Sequence, residues 1–258
     1  PMVKENSEEI KEIPVEELPK WMYPAFEARN KDGEIFFTTE KFNKVQSKVL
    51  PTALHSDENM LICAPTSSGK TNVALLTILR VISNFYKNNI IKLNDFKIVY
   101  IAPMKALVKE TVGNFSAKLE PFGIKVREVS GDVHLTKKEL EETQVIISTP
   151  EKWDIITRKS GEKTFTELVK LIIVDEVHLL HDTRGSVIES IISRTIRRIE
   201  TTFEKVRIVA LSATLPNYED VATFLKVDPK IGLFYFDSTF RPVPLEQKYI
   251  GISEKKSI

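Results

Sequence analysis

The chain has 258 residues, 42% of them hydrophobic and 28% charged, which is enough to bury a sizeable core in one large α/β domain or two small ones. Its 37 basic and 36 acidic residues leave a formal charge of +1, which excludes the global basic footprint of many nucleic-acid binders and sends any RNA or DNA to a local groove. A single cysteine, Cys63, excludes an internal disulfide and a cysteine-cluster metal site, and no apolar run approaches the roughly 18 residues that span a bilayer, so an intracellular chain without a membrane anchor is expected.

In chain order, the first dozen residues, PMVKENSEEIKE, are polar and read as a disordered tail. Residues 1–40 as a whole, with aromatic anchors alternating with prolines in PVEELPKW and YPAF, read as a peripheral arm packed on the domain. Short runs rich in Ile and Val then recur: MLIC (60–63), KIVYIA (97–102), IKVREV (124–129), QVIIST (144–149), LVKLIIVD (168–175), VRIVAL (206–211) and GLFYF (232–236). Continuous rather than alternating apolar runs suit strands buried on both faces. Segments with helical spacing lie between them, after Gly69, after Lys105 and after Gly185. This alternation predicts right-handed crossovers and an α/β domain over 41–245: three layers around a mainly parallel sheet, with ligands outside the carboxyl ends of its strands. Arg194, Arg197 and Arg198 read as one solvated helix face. The terminal stretch FRPVPLEQKYIGISEKKSI reads as a strand followed by polar residues, with 246–258 starting a connection to another domain.

CAPTSSGKT (63–71) sits between a strand and a helix and fits a phosphate-binding loop of the A/G-x-x-x-x-G-K-S/T pattern. Backbone N–H groups at a helix N-terminus form such a cradle, so glycine is needed only where φ is positive or a Cβ would collide; Gly69 fills that position. On this reading Thr66, Ser67 and Ser68 would supply backbone donors, the two serines could add hydroxyls, Lys70 would reach β and γ phosphates, and the Thr71 hydroxyl would ligate Mg2+. The alternative is an ordinary strand-to-helix turn with a surface lysine. A second motif counts against it. LIIVDEVHLL (171–180) ends a buried strand in Asp175 and Glu176, at the sheet edge where the loop is expected. Asp175 is placed to hold Mg2+ and Glu176 to polarise the attacking water. LSATLP (211–216) follows another buried strand, and the hydroxyls of Ser212 and Thr214 suit bonds to carboxylates or imidazoles. His178 is either a satisfied structural histidine or a relay of nucleotide state. Cys63 reads as a small buried hydrophobe rather than a reactive thiol.

With APTSSGKT (64–71), DEVH (175–178) and SAT (212–214) in this order, the chain resembles superfamily-two helicases of the DExH class, from about residue 40 to its end. The resemblance implies a RecA-like P-loop domain with ATP and Mg2+ as cofactors. It matches Gln46, in FNKVQSKVLP (42–51), to the family's adenine-reading amide. It matches APMKAL (102–107), SGD (130–132) and STPEKWD (148–154) to segments that grip a nucleic-acid strand, which points to Pro103, Met104, Lys105, Ser130, Gly131, Thr149, Pro150 and Glu151 as RNA contacts. Contacts of this type follow the backbone and carry little sequence information.

Four longer stretches, 149–164, 175–185, 211–229 and 240–256, are similar to the spliceosomal branch of this class, which implies a nuclear protein with spliceosomal partners acting in pre-mRNA splicing. The branch working in the activating signal cointegrator complex shares DEVHLLH and LSATLPN. The phosphate loop departs from both, with serine where glycine or alanine is usual. No Q-x-x-G-R-x-G-R run follows the motifs, and arginines of that type contribute on the order of 10³ to 10⁵ in rate. The expectation is therefore a monomeric first RecA-like domain that lacks its second, binds nucleotide weakly and neither hydrolyses it fast nor unwinds RNA alone. A DNA translocase with the same chemistry, or a silent cassette used for protein docking, are the competing classes.

Overall fold

All seven apolar runs become strands of one sheet in the computed structural model, which describes residues 10–29, 33–130, 135–158, 163–182, 184–246 and 248–251. They are β1 (Met60–Cys63), β2 (Lys97–Ile101), β3 (Val126–Val129), β4 (Val145–Ser148), β5 (Val169–Val174), β6 (Arg207–Ser212) and β7 (Leu233–Tyr235). The spatial order is β7-β1-β6-β5-β2-β4-β3, and every pairing is parallel.

Alternation along each strand divides the core in two. Met60, Ile62, Ile98, Tyr100, Ile173 and Leu211 point to one face, where they meet α1 (Lys44–His55), α2 (Lys70–Asn84) and α3 (Lys105–Leu119). Leu61, Cys63, Val99, Ile101, Ile172 and Ala210 point to the other, under α5 (Pro150–Arg158), α7 (Gly185–Thr202) and α8 (Tyr218–Phe224). Two short helices, α4 (Lys137–Glu142) and α6 (Lys163–Glu167), complete the set. Both faces are thus covered, which is why the strands read as unbroken apolar runs. Each buried Ile, Val or Leu contributes about 1.5–3 kcal/mol relative to exposure. Helix α7 shows the spacing that buries one stripe: Ile188, Ile191 and Ile192 are inside.

In the arm, two 3-10 segments, Val15–Glu17 and Lys20–Phe26, with Leu18 between them, place Val15, Leu18, Met22, Ala25 and Phe26 in the first core, and Trp21 stacks on Tyr86 at 4.7 Å. Two expectations change. Among the described residues the terminal stretch forms no strand: its apolar Val243, Leu245, Tyr249 and Ile250 lie exposed instead of being buried against the sheet. Arg194 and Arg198 are not a solvated face. Arg194 pairs with Asp154 and bonds Thr157, and Arg198 pairs with Glu204 and donates to the Thr166 carbonyl.

Candidate active site

The sheet order sets out the motifs along one edge. The phosphate loop follows β1, Ser212 ends β6 with Ala213 and Thr214 after it, Asp175 and Glu176 follow β5, and the segments at 102–105, 149–151 and 130 follow β2, β4 and β3. Neighbours in space are therefore neighbours in this series, which sequence order alone does not reveal.

In the loop, Gly69 takes φ +86° and a Cβ there would collide with the Gln46 amide nitrogen and come within 2.9 Å of Asn43 Nδ2. The need for glycine is met at that position, but the obstacle is protein rather than phosphate. Ser67 also adopts a left-handed φ, +64°, a second position of this type that the one-glycine reading did not anticipate; a side chain there costs about 1–2 kcal/mol. Gln46 and Asn43 form a reciprocal cap on α1, and their outer ends brace the loop: Gln46 Nε2 donates to the Gly69 carbonyl at 3.1 Å and Asn43 Nδ2 to that of Ser68 at 2.9 Å. Gln46 is thus buried behind the loop, with its amide oxygen accepting from Asn43 N–H. Ser68 is also turned inward, and its hydroxyl is buried without a partner instead of donating outward. Helix α2 starts at Lys70 with no side-chain cap; Asn72 N–H turns back to the Gly69 carbonyl at 3.1 Å, which leaves the N–H groups of Lys70 and Thr71 at the mouth of the helix.

Thr66, Ser67, Gly69, Lys70 and Thr71 line a cavity of about 330 Å³ together with Tyr100, Asp175 and Glu176. Glu110, Thr111 and Asn114 of α3 also line it; nothing in the sequence pointed to them. Lys70 Nζ donates to the carbonyls of Ala64 and Pro65 at 3.0 and 3.1 Å, and burial lowers its pKa while Glu176 and Asp175 oppose that shift.

Asp175 extends β5 by one residue, its N–H donating to the Ile101 carbonyl. One carboxylate oxygen accepts from the Tyr100 hydroxyl at 2.7 Å, the other from Glu176 N–H at 2.9 Å. Burial raises the Asp175 pKa, Tyr100 pulls it down, and the Glu176 charge adds to the rise. Glu176 sits at φ +52°, a left-handed turn that ends the strand and reverses the chain into a 3-10 turn, Val177–His181. Its Oε2 lies 3.2 Å from His178 Nδ1. That nitrogen accepts from Ala213 N–H at 3.2 Å, so it presents a lone pair and the buried Oε2 receives no hydrogen bond. The link from His178 to the SAT segment therefore runs through Ala213, not through the hydroxyls of Ser212 or Thr214. Ser212 is fully buried with an unpartnered hydroxyl and touches the phosphate loop through its carbonyl, which accepts from Ala64 N–H at 3.1 Å; Thr214 is exposed.

Along the rest of the edge, Met104 is 52% exposed, Lys105 opens α3, and α3 also lacks a side-chain cap. Pro103, Ser130, Thr149 and Pro150 are buried at strand ends, Glu151 is exposed, and Gly131 lies outside the described residues. Arg184 was missed from sequence: its guanidinium donates to the Pro103 carbonyl and lies 3.4 Å from Glu151, tying two of the segments together. Gly185, next to it, packs so tightly on the Leu180 carbonyl that no Cβ fits.

The family model for DEAD/DEAH box helicases matches residues 43–221. The chain belongs to the DEAD/DEAH box helicase family. Membership implies a nucleotide-binding domain. The helicase chain is 58% identical over 247 residues to the U5 small nuclear ribonucleoprotein 200 kDa helicase of Homo sapiens, which covers 95% of this chain and 11% of that protein. It is equally 58% identical over 247 residues, again 95% of this chain and 11% of the relative, to the DExH-box ATP-dependent RNA helicase DExH12 of Arabidopsis thaliana. Identity to the activating signal cointegrator 1 complex subunit 3-like protein of Dictyostelium discoideum is also 58%, over 245 residues, 94% of this chain and 10% of that one. The chain thus spans about a tenth of the length of these relatives. In structure it superposes on the helicase MrfA bound to DNA and AMPPNP with a TM-score of 0.70 and 20% identity, over 92% of this chain and 31% of that one, which supports the same fold. No helix among the described residues is long and apolar enough to cross a membrane.

Proposed function

We propose that this chain is the first of two RecA-like domains of an ATP-driven RNA helicase acting in pre-mRNA splicing, in the nucleus and among spliceosomal proteins. The observation that carries the reading is the single cavity shared by the Gly69–Thr71 loop and the Asp175–Glu176 pair. In it, uncapped N–H groups and Lys70 receive the triphosphate of ATP, and Thr71 and Asp175 hold Mg2+. Thr71 and Asp175 line the same cavity, and magnesium takes one or two protein ligands and completes its shell with phosphate and water. When bound, magnesium neutralises charge on the phosphates. Glu176 lines the same cavity as the loop, where its carboxylate is placed to accept the proton of an attacking water.

RNA follows the edge from Met104 and Lys105, where the uncapped start of α3 offers N–H groups to phosphate, past Thr149 and Glu151 to Ser130. The His178–Ala213 bond relates the acidic pair to the SAT segment. A second RecA-like domain supplies the arginines, so this chain alone turns ATP over slowly and does not unwind RNA. Lys70→Ala abolishes ATP binding, whereas Glu176→Gln keeps binding and stops turnover in the full-length enzyme; full turnover by Glu176→Gln overturns the reading.

A second reading, a helicase of the activating signal cointegrator complex, is kept by the equal identity to the Dictyostelium relative. A DNA translocase is separated by comparing stimulation of turnover by RNA and by DNA. Intact Lys70, Thr71, Asp175 and Glu176 count against a silent docking cassette, since docking requires none of them.

A further inference from the structure

Tyr100 is the penultimate residue of β2, a core strand, and is 2% exposed, a position that phenylalanine would fill equally well on packing grounds. A hydroxyl taken to that depth is costly unless it is hydrogen-bonded. Its partner is the Asp175 carboxylate, at 2.7 Å. The register explains the reach. Tyr100 pairs with Ile173 on the neighbouring strand, so Asp175, two residues further on, shares its face and lies on the diagonal that a long aromatic side chain spans. Phe115 of α3 meets the Tyr100 ring edge-on, 5.5 Å between centroids, and fixes its direction. The second Asp175 oxygen is held by Glu176 N–H. One donor on each oxygen locks the carboxylate plane and leaves one lone pair of each oxygen for a cation.

We propose that Tyr100 is a positioning residue that orients Asp175 toward magnesium, an inference that rests on the nucleotide reading above. In that bond the Tyr100 hydroxyl is the donor and the Asp175 carboxylate the acceptor, the same direction as the Glu176 N–H bond to the other oxygen. Hydrogen-bond partners behind a metal-ligating group typically carry 10- to 100-fold in metal affinity, which sets the size of the effect.

The test is Tyr100→Phe, which removes one oxygen and keeps the ring. A fluorescent ADP analogue is titrated into the unsubstituted chain and the variant, first in EDTA and then at fixed nucleotide with increasing MgCl2. The expected result is an unchanged affinity in EDTA and a Mg2+ midpoint raised about 10- to 100-fold. A merely structural tyrosine gives either no change in the Mg2+ midpoint or an equal loss with and without the ion, and both results overturn the inference. If the unsubstituted chain itself gains no affinity from Mg2+, the nucleotide reading falls; if it gains and the variant matches it, only the role of Tyr100 falls.

Discussion

Replacing Gly69 by alanine isolates how the phosphate loop is held. The φ of +86° costs an L-residue about 1–2 kcal/mol, and Ser67, with a Cβ at φ +64° in the same loop, shows that this alone is tolerable. What Ser67 does not meet is the Gln46 amide. An alanine Cβ must drive Gln46 Nε2 off the Gly69 carbonyl, removing a hydrogen bond worth about 0.5–1.5 kcal/mol. Gly69→Ala should therefore cost about 1.5–3.5 kcal/mol in urea unfolding. Gln46→Ala gives up the same bond without the backbone strain and opens the space the new Cβ needs. The double variant should then cost about 0.5–1.5 kcal/mol less than the sum of the singles, because one bond is lost once rather than twice. Additivity within about 0.3 kcal/mol, or a Gly69→Ala cost below about 0.5 kcal/mol, would falsify the bracing argument.

Two further outcomes are expected. Lys97 is buried with its ammonium on the carbonyls of Leu140, Glu141 and Thr143 at the end of α4, and burial brings its pKa down from 10.5 to about 8. The unfolded chain holds that proton more tightly, so unfolding free energy should rise between pH 8 and 10.5 relative to Lys97→Met; a flat difference between the two curves refutes it. Arg184→Ala frees Glu151 and the Pro103 carbonyl from their shared guanidinium, and fluorescence anisotropy should show single-stranded RNA bound about five- to tenfold more weakly, with Arg184→Lys failing to restore it because one amine does not reproduce the fork. Wild-type RNA affinity in Arg184→Ala rejects that role.

The strands were legible because both sheet faces are covered, which writes unbroken Ile and Val runs such as MLIC and QVIIST into the sequence. Strand ends were legible too, since DE after LIIV and GKT after MLIC mark where apolar burial stops. What stayed hidden depends on register. Tyr100 looks like one more core aromatic until its pairing with Ile173 puts it on the face of Asp175. Arg184 becomes informative only when β2 and β4 lie side by side, bringing Pro103 and Glu151 within reach of one side chain. Ala213 has no side-chain polarity to notice, and its N–H makes the link expected of the hydroxyls around it. The short hairpin Tyr86–Ile91 turns on Asn88 and Asn89, both left-handed, a two-residue turn signal that the polar stretch YKNN carried unnoticed.

A seven-strand sheet paired throughout and packed on both sides has no compliant seam, because sliding one strand past the next would break a ladder and open the core. The motif tips along its edge are therefore spaced like marks on a ruler. Under the proposed function, any length change in a work cycle would have to come from a separate mass moving against this body rather than from within it.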